Sequence, residues 1–353
     1  MSLSSPLRGG LIGCGYVSQH HLEGWKTVPG ASIVALCDLD PERLERAGQL
    51  IPAKAYRDAA DLFRHGDLDF VELCTRPESH RELVELAARH GVHVLCQKPS
   101  ALVRSDLLAM IASCASASVR LMIHENWRFR PWYRALKREL EAGTIGRPIR
   151  LRLTHRDTRA LRPDGFRDQP YFATMPRLIL LEMGCHLVDT ARYLLGEVET
   201  VSATLGRFGA GQVGEDLATL SLGYTSGALG LLDMTWCASA DVARSEWALN
   251  ETAVEGSEGL LKLQTDGSLL RVGLDGTTDR RSVPLKPDDQ VYVDGYAQTQ
   301  AHFIEGLLQG ISHETSGTDN LKTMDVVWAG YTSAEEGRKV RILPPAGLTS
   351  SPH

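Results

Sequence analysis

Short apolar runs and amphipathic stretches alternate through the first 125 residues, and each kind predicts its own element. A brief, near-continuous apolar run reads as a strand covered on both faces; an i, i+3, i+4 pattern reads as a helix packed on one side. Leu11 and Ile12 end the first strand, and residues 32–37, 69–75, 92–96 and 119–123 form the next. Helices are expected between them at 41–50, 57–64, 78–90 and 101–115, the third with Leu83, Leu86 and Ala87 turned inward. Strand and helix in turn imply a doubly wound parallel sheet. Its strand ends at Thr75, Gln97 and His124 should share one edge, where open α/β sheets bind ligands.

From Arg130 the rhythm changes. One more helix, 131–142, closes on Gly143 and Gly146. Strand-like stretches rich in Leu, Val and Thr follow at 149–154, 200–205, 217–224, 229–235, 246–254, 260–263 and 268–272, separated by turns such as Thr225-Ser226-Gly227. Helices near 296–308 and 319–336 are expected to flank this second sheet, and 350–353 to fray. The chain therefore divides, on its sequence, into a dinucleotide-binding domain at 1–125 and an α+β domain at 126–353 with a large, mostly antiparallel open sheet.

The first strand runs into Gly13-Cys14-Gly15-Tyr16-Val17-Ser18. Gly13 permits a tight turn, and Gly15 lets a pyrophosphate approach backbone N–H groups at a helix N-terminus. Ser18 stands where that fingerprint usually has Gly or Ala, and is still small. The second strand ends in Asp38, 23 residues after Gly15, placed to accept both ribose hydroxyls of an adenosine. An Asp there repels a 2′-phosphate, and Leu39 rather than Arg follows, so NAD is favoured over NADP. The plainer reading of Asp38 is a cap for the helix opened by Pro41.

At 353 residues the chain can fill two cores. With 43% hydrophobic and 23% charged residues it has a globular composition, and its net charge of −6 argues against nucleic-acid partners. No apolar run approaches the roughly 18 residues a bilayer span needs, and Met1-Ser-Leu-Ser-Ser-Pro6 has no signal-peptide pattern. The seven cysteines form no CxxC pair, and Cys14, Cys37, Cys74 and Cys96 lie at strand ends. They read as small buried residues of a reducing, cytoplasmic protein rather than a disulfide or zinc framework.

Two side chains carry the candidate chemistry. Lys98 follows a buried strand and is stiffened by Pro99. A cation there can stabilise an alkoxide as a hydroxyl loses its proton; a lone Lys-Pro is otherwise a solvated lysine beside a turn. His186 lies in Glu182-Met183-Gly184-Cys185-His186, four residues after Glu182, so the two share a face if the segment is helical. An imidazole can take the hydroxyl proton while a nicotinamide takes the hydride. A buried structural histidine is the alternative. Zinc is another, but no third ligand is evident beyond His155 or Asp157, and no metal is expected.

These residues together resemble the glucose–fructose oxidoreductase / inositol dehydrogenase / rhizopine-catabolism (Gfo/Idh/MocA) family over nearly the whole chain. The marks are Gly13-Cys14-Gly15, Asp38, Thr75-Arg-Pro-Glu-Ser-His80, Gln97-Lys98-Pro99, Asn126-Trp127-Arg128 and Gly184-Cys185-His186-Leu187-Val188-Asp189. The resemblance implies a Rossmann domain, then an α/β domain whose open sheet makes a homodimer or homotetramer. It implies Lys98 beside the substrate hydroxyl and His186 as acid/base. Two residues depart from the family pattern: Gln97 replaces the usual Glu, and Glu182 the usual Asp. On these motifs the cofactor set is Gly13, Gly15, Tyr16, Val17, Asp38, Thr75, Pro77, His80, Gln97, Lys98 and Asn126.

Cys96-Gln-Lys-Pro99, His124-Glu-Asn-Trp-Arg128, Gln169-Pro-Tyr-Phe-Ala-Thr174 and Gly214-Glu-Asp216 resemble the D-apiose dehydrogenase branch, which implies a small aldose or lactol oxidised at its anomeric carbon. For the substrate, Trp127 can stack on a sugar face or belong to the core. Arg128, Arg156, Asp157, Gln169 and Tyr171 can bind hydroxyls, while Arg156, Asp157 and Arg159 read equally well as a solvated charge run. An NAD-dependent sugar or polyol dehydrogenase is expected. Its rivals are glycoside cleavage by transient oxidation and a cofactor-sensing regulator; retention of Lys98 and His186 argues against the latter.

Overall fold

A computed structural model describes residues 5–239 and 251–342. The chain forms two compact units, Met1–Arg130 with Lys286–Leu321, and Pro131–Leu285 with Lys322–His353.

The first unit is built on six strands among the described residues: β1 (Leu7–Ile12), β2 (Ala31–Cys37), β3 (Lys54–Tyr56), β4 (Phe70–Leu73), β5 (His93–Gln97) and β6 (Leu121–His124). They lie in the order β3-β2-β1-β4-β5-β6, every pairing parallel. Strand order reverses between β1 and β4, which is where such sheets open a crevice at their carboxyl edge. The helices are α1 (Ser18–Trp25), α2 (Pro41–Leu50), α3 (Ala59–His65), α4 (His80–Arg89) and α5 (Arg104–Ser116). The helix α2 matches its expected bounds because Asp40 caps it, accepting from the N–H of Glu42 at 2.9 Å, with Pro41 fixing the first turn. In α4 the buried positions are His80, Val84, Ala87 and Ala88, while Leu83 and Leu86 are half-buried, so of the expected inward positions only Ala87 is fully buried. The three-residue edge strand β3 carries no apolar run and gave no sequence signal.

This unit also claims a late helix, α9 (Val291–Gln309). Its Phe303 and Ile304 share a core with Leu11, Leu22, Trp25, Phe70 and Leu95. A Cβ on Gly24 would lie 2.4 Å from Gln300 Oε1 and 3.2 Å from the nitrogen of Ala297, so glycine is what lets α1 lie against α9. The helix near 296–308 thus belongs to the first unit, and residues 286–321, which lie beyond the expected boundary at 125/126, supply Phe303 and Ile304 to its core.

The second unit holds nine strands among the described residues: β7 (Pro148–Arg156), β8 (Val198–Gly206), β9 (Leu217–Tyr224), β10 (Leu229–Thr235), β11 (Glu251–Gly256), β12 (Gly259–Leu263), β13 (Leu269–Gly273), β14 (Thr278–Arg281) and β15 (Val340–Arg341). Their order is β14-β13-β12-β11-β7-β10-β9-β8-β15; β7 and β10 are parallel neighbours and the other pairs antiparallel. Alternation is plain in β10, where Leu229, Leu231 and Asp233 face out and Leu232 and Met234 are buried. Helices α6 (Pro131–Glu141), α7 (Ile179–Glu182), α8 (Gly184–Leu195) and most of α10 (Gly317–Glu336) belong to this unit. The strand expected at 246–254 begins at Glu251; residues 246–250, like the expected fray at 350–353, lie outside the described residues. The charged edge strand β14 and the two-residue β15 were not expected.

Candidate active site

In the first unit the Gly-rich turn leaves β1 at Gly13, whose N–H donates to the carbonyl of Cys37 at 2.8 Å. Gly13 has φ +94°, and a Cβ there would lie 2.8 Å from the backbone of Cys74. No other residue fits without strain. A Cβ on Gly15 would meet nothing within 4 Å, so this glycine leaves open space over the start of α1 rather than relieving a protein contact. Ser18 is buried and donates to the carbonyl of Gly15 at 2.6 Å, tying the turn to the helix. Tyr16 is about half exposed, and Val17 caps α1.

Asp38 is half-buried at the end of β2, and one oxygen accepts the N–H of Cys14 at 2.7 Å while the other accepts that of Asp40 at 2.9 Å. Each oxygen keeps a lone pair for a hydroxyl. The cap of α2 is Asp40, so the helix-capping reading of Asp38 is not needed. This open turn, helix N-terminus and anchored carboxylate fit the diphosphate and ribose of a dinucleotide.

Farther along the edge, Thr75 and Pro77 are half-buried on the turn after β4. His80 is fully buried, with its two ring nitrogens 3.1 Å from the carbonyls of Ser100 and Thr75. It braces two turns against each other. Burial lowers its pKa, and those carbonyls pull the other way. The cis peptide Lys98–Pro99 follows β5, with Gln97 buried and Lys98 half-buried.

Beneath this turn lies a buried polar cluster that no local pattern announced. Glu72, within β4, is fully buried; Oε1 accepts from His21 Nδ1 at 2.7 Å and His124 Nδ1 at 2.9 Å, and Oε2 from Trp25 Nε1 at 2.6 Å and Gln300 Nε2 at 3.2 Å. Burial alone would raise the Glu72 pKa; its contacts with His21 and His124 more than reverse this and hold it well below the usual carboxylate range. These groups also lie close enough together to suggest a metal cluster, but N–H···O hydrogen bonds account for their spacing. The sequence signal was a lone acid inside Phe70-Val-Glu-Leu73.

The expected contacts at 126–128 are buried too. Arg128 donates to the carbonyl of Glu314 at 3.1 Å and pairs with Asp319 at 3.1 Å, so its guanidinium is engaged within its own unit. Asn126 and Trp127 are each under 5% exposed.

In the second unit Glu182 ends α7 and His186 lies in the first turn of α8, both buried, with Met183 between the helices. The segment is thus two helices rather than one. Its start is held by Glu215, whose Oε1 accepts the N–H groups of Leu178 at 2.9 Å and Leu180 at 3.1 Å and the hydroxyl of Tyr331 at 2.6 Å. Sequence reading matched Gly214-Glu-Asp216 only as a motif; its structural task is to position α7. Arg156 pairs with Asp233. Asp157 accepts from Arg159 at 2.7 Å, and this pairing outweighs burial to hold its pKa below the usual range. Gln169 Nε2 donates to the Tyr171 hydroxyl at 2.9 Å. The charged residues at 156–159 are therefore engaged with protein groups rather than forming a solvated run.

A D-apiose dehydrogenase of Paraburkholderia graminis is 41% identical over 342 residues, spanning 95% of this chain and 89% of that protein. The model of an oxidoreductase family with an NAD-binding Rossmann fold matches residues 7–125, and that family's C-terminal domain model matches 133–262. The chain belongs to the Gfo/Idh/MocA family. As a Gfo/Idh/MocA protein it is an NAD-dependent oxidoreductase. A myo-inositol 2-dehydrogenase of Thermotoga maritima is 32% identical over 95% of the chain and 98% of that protein. Among solved structures, an Agrobacterium radiobacter oxidoreductase in complex with NAD+, L-tartaric acid and magnesium superposes with a TM-score of 0.88 at 37% identity, covering 95% of this chain and 98% of that one. All seven cysteines are free thiols, and among the described residues no helix is long and apolar enough to cross a membrane.

Proposed function

We propose that this chain oxidises a hydroxyl of a small sugar or polyol, with a cyclic aldose such as apiose the first substrate to try. The observation that carries the reading is the 41% identity to a D-apiose dehydrogenase across 95% of the chain. The same C–H/O–H oxidation is named for the myo-inositol relative, which supports the broader class. In this reading Gly13, Gly15 and Asp38 hold the dinucleotide, and bound NAD supplies the hydride acceptor. His186 takes the hydroxyl proton, Glu182 orients that imidazole or a second hydroxyl, and the Lys98 ammonium stabilises the oxyanion that forms. The carbinol carbon gives up its hydrogen as hydride, and a carbonyl, or a lactone from a lactol, is left.

The test is NADH formation by the purified protein over a panel of aldoses, polyols and cyclic sugars with NAD or NADP. An absorbance rise with NAD and one sugar class is expected. Free sugar released from a glycoside without NADH accumulation would establish transient oxidation instead. Tight NAD binding with no turnover of any substrate would favour a sensor.

The outer face of the nine-strand sheet is the surface we assign to self-association. Leu229 is 57% exposed, and Leu231 lies on the same face beside Ser221 of β9 and Arg152 of β7. Light scattering should give the mass of two or four chains; a single-chain mass at micromolar concentration would remove this assignment.

A further inference from the structure

The buried cluster beneath the lysine turn has a proton arrangement that its geometry determines. The backbone N–H of Lys98 lies 2.7 Å from one atom of the Gln97 carboxamide. A backbone N–H only donates, so that atom is the carboxamide oxygen, which directs the Gln97 NH2 at His21 Nε2, 2.6 Å away. An amide NH2 also only donates, so His21 Nε2 presents its lone pair. The imidazole then carries its proton on Nδ1, which faces Glu72 Oε1 at 2.7 Å. That carboxylate is an acceptor at both ends, because the indole N–H of Trp25, which cannot accept, lies 2.6 Å from Oε2.

We propose that Gln97 is a positioning residue that sets the proton count of this cluster, holding His21 as the neutral Nδ1–H imidazole while its oxygen fixes the backbone of Lys98. A carboxylate at position 97 would reverse the demand. It has no N–H to offer Nε2, so a further proton would have to enter that contact. The choice of amide over acid therefore leaves the charge of Glu72 uncompensated by His21.

Among the described residues, the titratable groups that face His21 come from β4, β6 and α9 and from its own helix. Glu72 comes from β4, His124 from β6 with ring centroids 4.3 Å apart, and Tyr296 from α9 at 4.8 Å. On its own helix His20 is the neighbour, and burial lowers its pKa to about 4. His21, Glu72 and His124 are fully buried, so solvent does not mediate their contacts.

The experiment is 15N NMR of the histidine side chains in the full chain. The His21 signals are assigned by their loss in His21→Gln, and the wild type is compared with Gln97→Glu. In the wild type at about pH 7, His21 should show a protonated Nδ1 and a bare Nε2. In Gln97→Glu, about one extra proton per chain should be held at the contact near neutral pH, and the bare-nitrogen signal should shift or vanish. An imidazolium or an Nε2–H tautomer in the wild type overturns the proposal. So does an unchanged His21 in a folded Gln97→Glu. If that variant fails to fold, the wild-type spectrum decides alone. Neither measurement depends on turnover, so the proposal stands or falls separately from the dehydrogenase reading.

Discussion

Lys98→Met should leave a folded protein that binds NAD with nearly wild-type affinity and turns over sugar about 10²–10³-fold more slowly, or worse. Methionine keeps the length of the side chain and removes the ammonium. The half-buried setting of Lys98 after β5 makes that charge worth more than it would be in water, because there is less solvent to screen it. The effect should appear in kcat, since the oxyanion exists only as the hydroxyl loses its proton. Steady-state rates with the best substrate of the panel, beside NADH fluorescence titration, separate the two readouts. Full activity would remove the lysine from the mechanism; lost NAD affinity would make it a cofactor contact instead.

Glu72→Gln should be the most damaging single change in the first unit. The carboxylate accepts four donors, and an amide presents an NH2 to one pair of them whichever way it is turned. Each buried donor left without an acceptor costs about 1–3 kcal/mol. A fall of roughly 10 °C in the thermal midpoint follows for a unit of this size. The pH dependence has a definite sign. The native Glu72 pKa is depressed, so its stabilisation is present above the unfolded value of about 4.3 and drains away as pH falls toward the native one. Wild-type protein should therefore lose stability more steeply than Glu72→Gln on acidification below about pH 5. Thermal melts at several pH values check this, and parallel curves would show that the carboxylate is not ionised in the native state.

How much could be read beforehand follows from how local each signal was. The shape of the turn after β1 was legible, because Gly13 takes a positive φ and Asp38 closes β2 where sequence spacing put them. Strands β9 and β10 matched residue for residue because hydrophobic and polar positions alternate cleanly along them. The membership of α9 was not legible. Its apolar face shows that it is buried but not which sheet covers it; the core that Phe303 and Ile304 share with Leu22 and Trp25, and Gly24 against Gln300, settle that. The cluster around Glu72 draws on β4, α1, β6 and α9, and nothing in sequence links positions so far apart. The ion pairs of Arg128 with Asp319 and of Arg156 with Asp233 were not legible, because a sequence does not display partners so far apart.

The return of α9 to the first unit has a consequence for synthesis. While the chain emerges from the ribosome, all six strands of the parallel sheet are available long before Phe303 and Ile304 exist to cover Leu22 and Trp25. That patch must wait while strands β7 to β14 of the other sheet are translated. At about 5–20 residues per second the delay is on the order of ten seconds or more. Such an exposed seam is where a chaperone holding apolar surface would act on the nascent chain, and where a truncated product would aggregate.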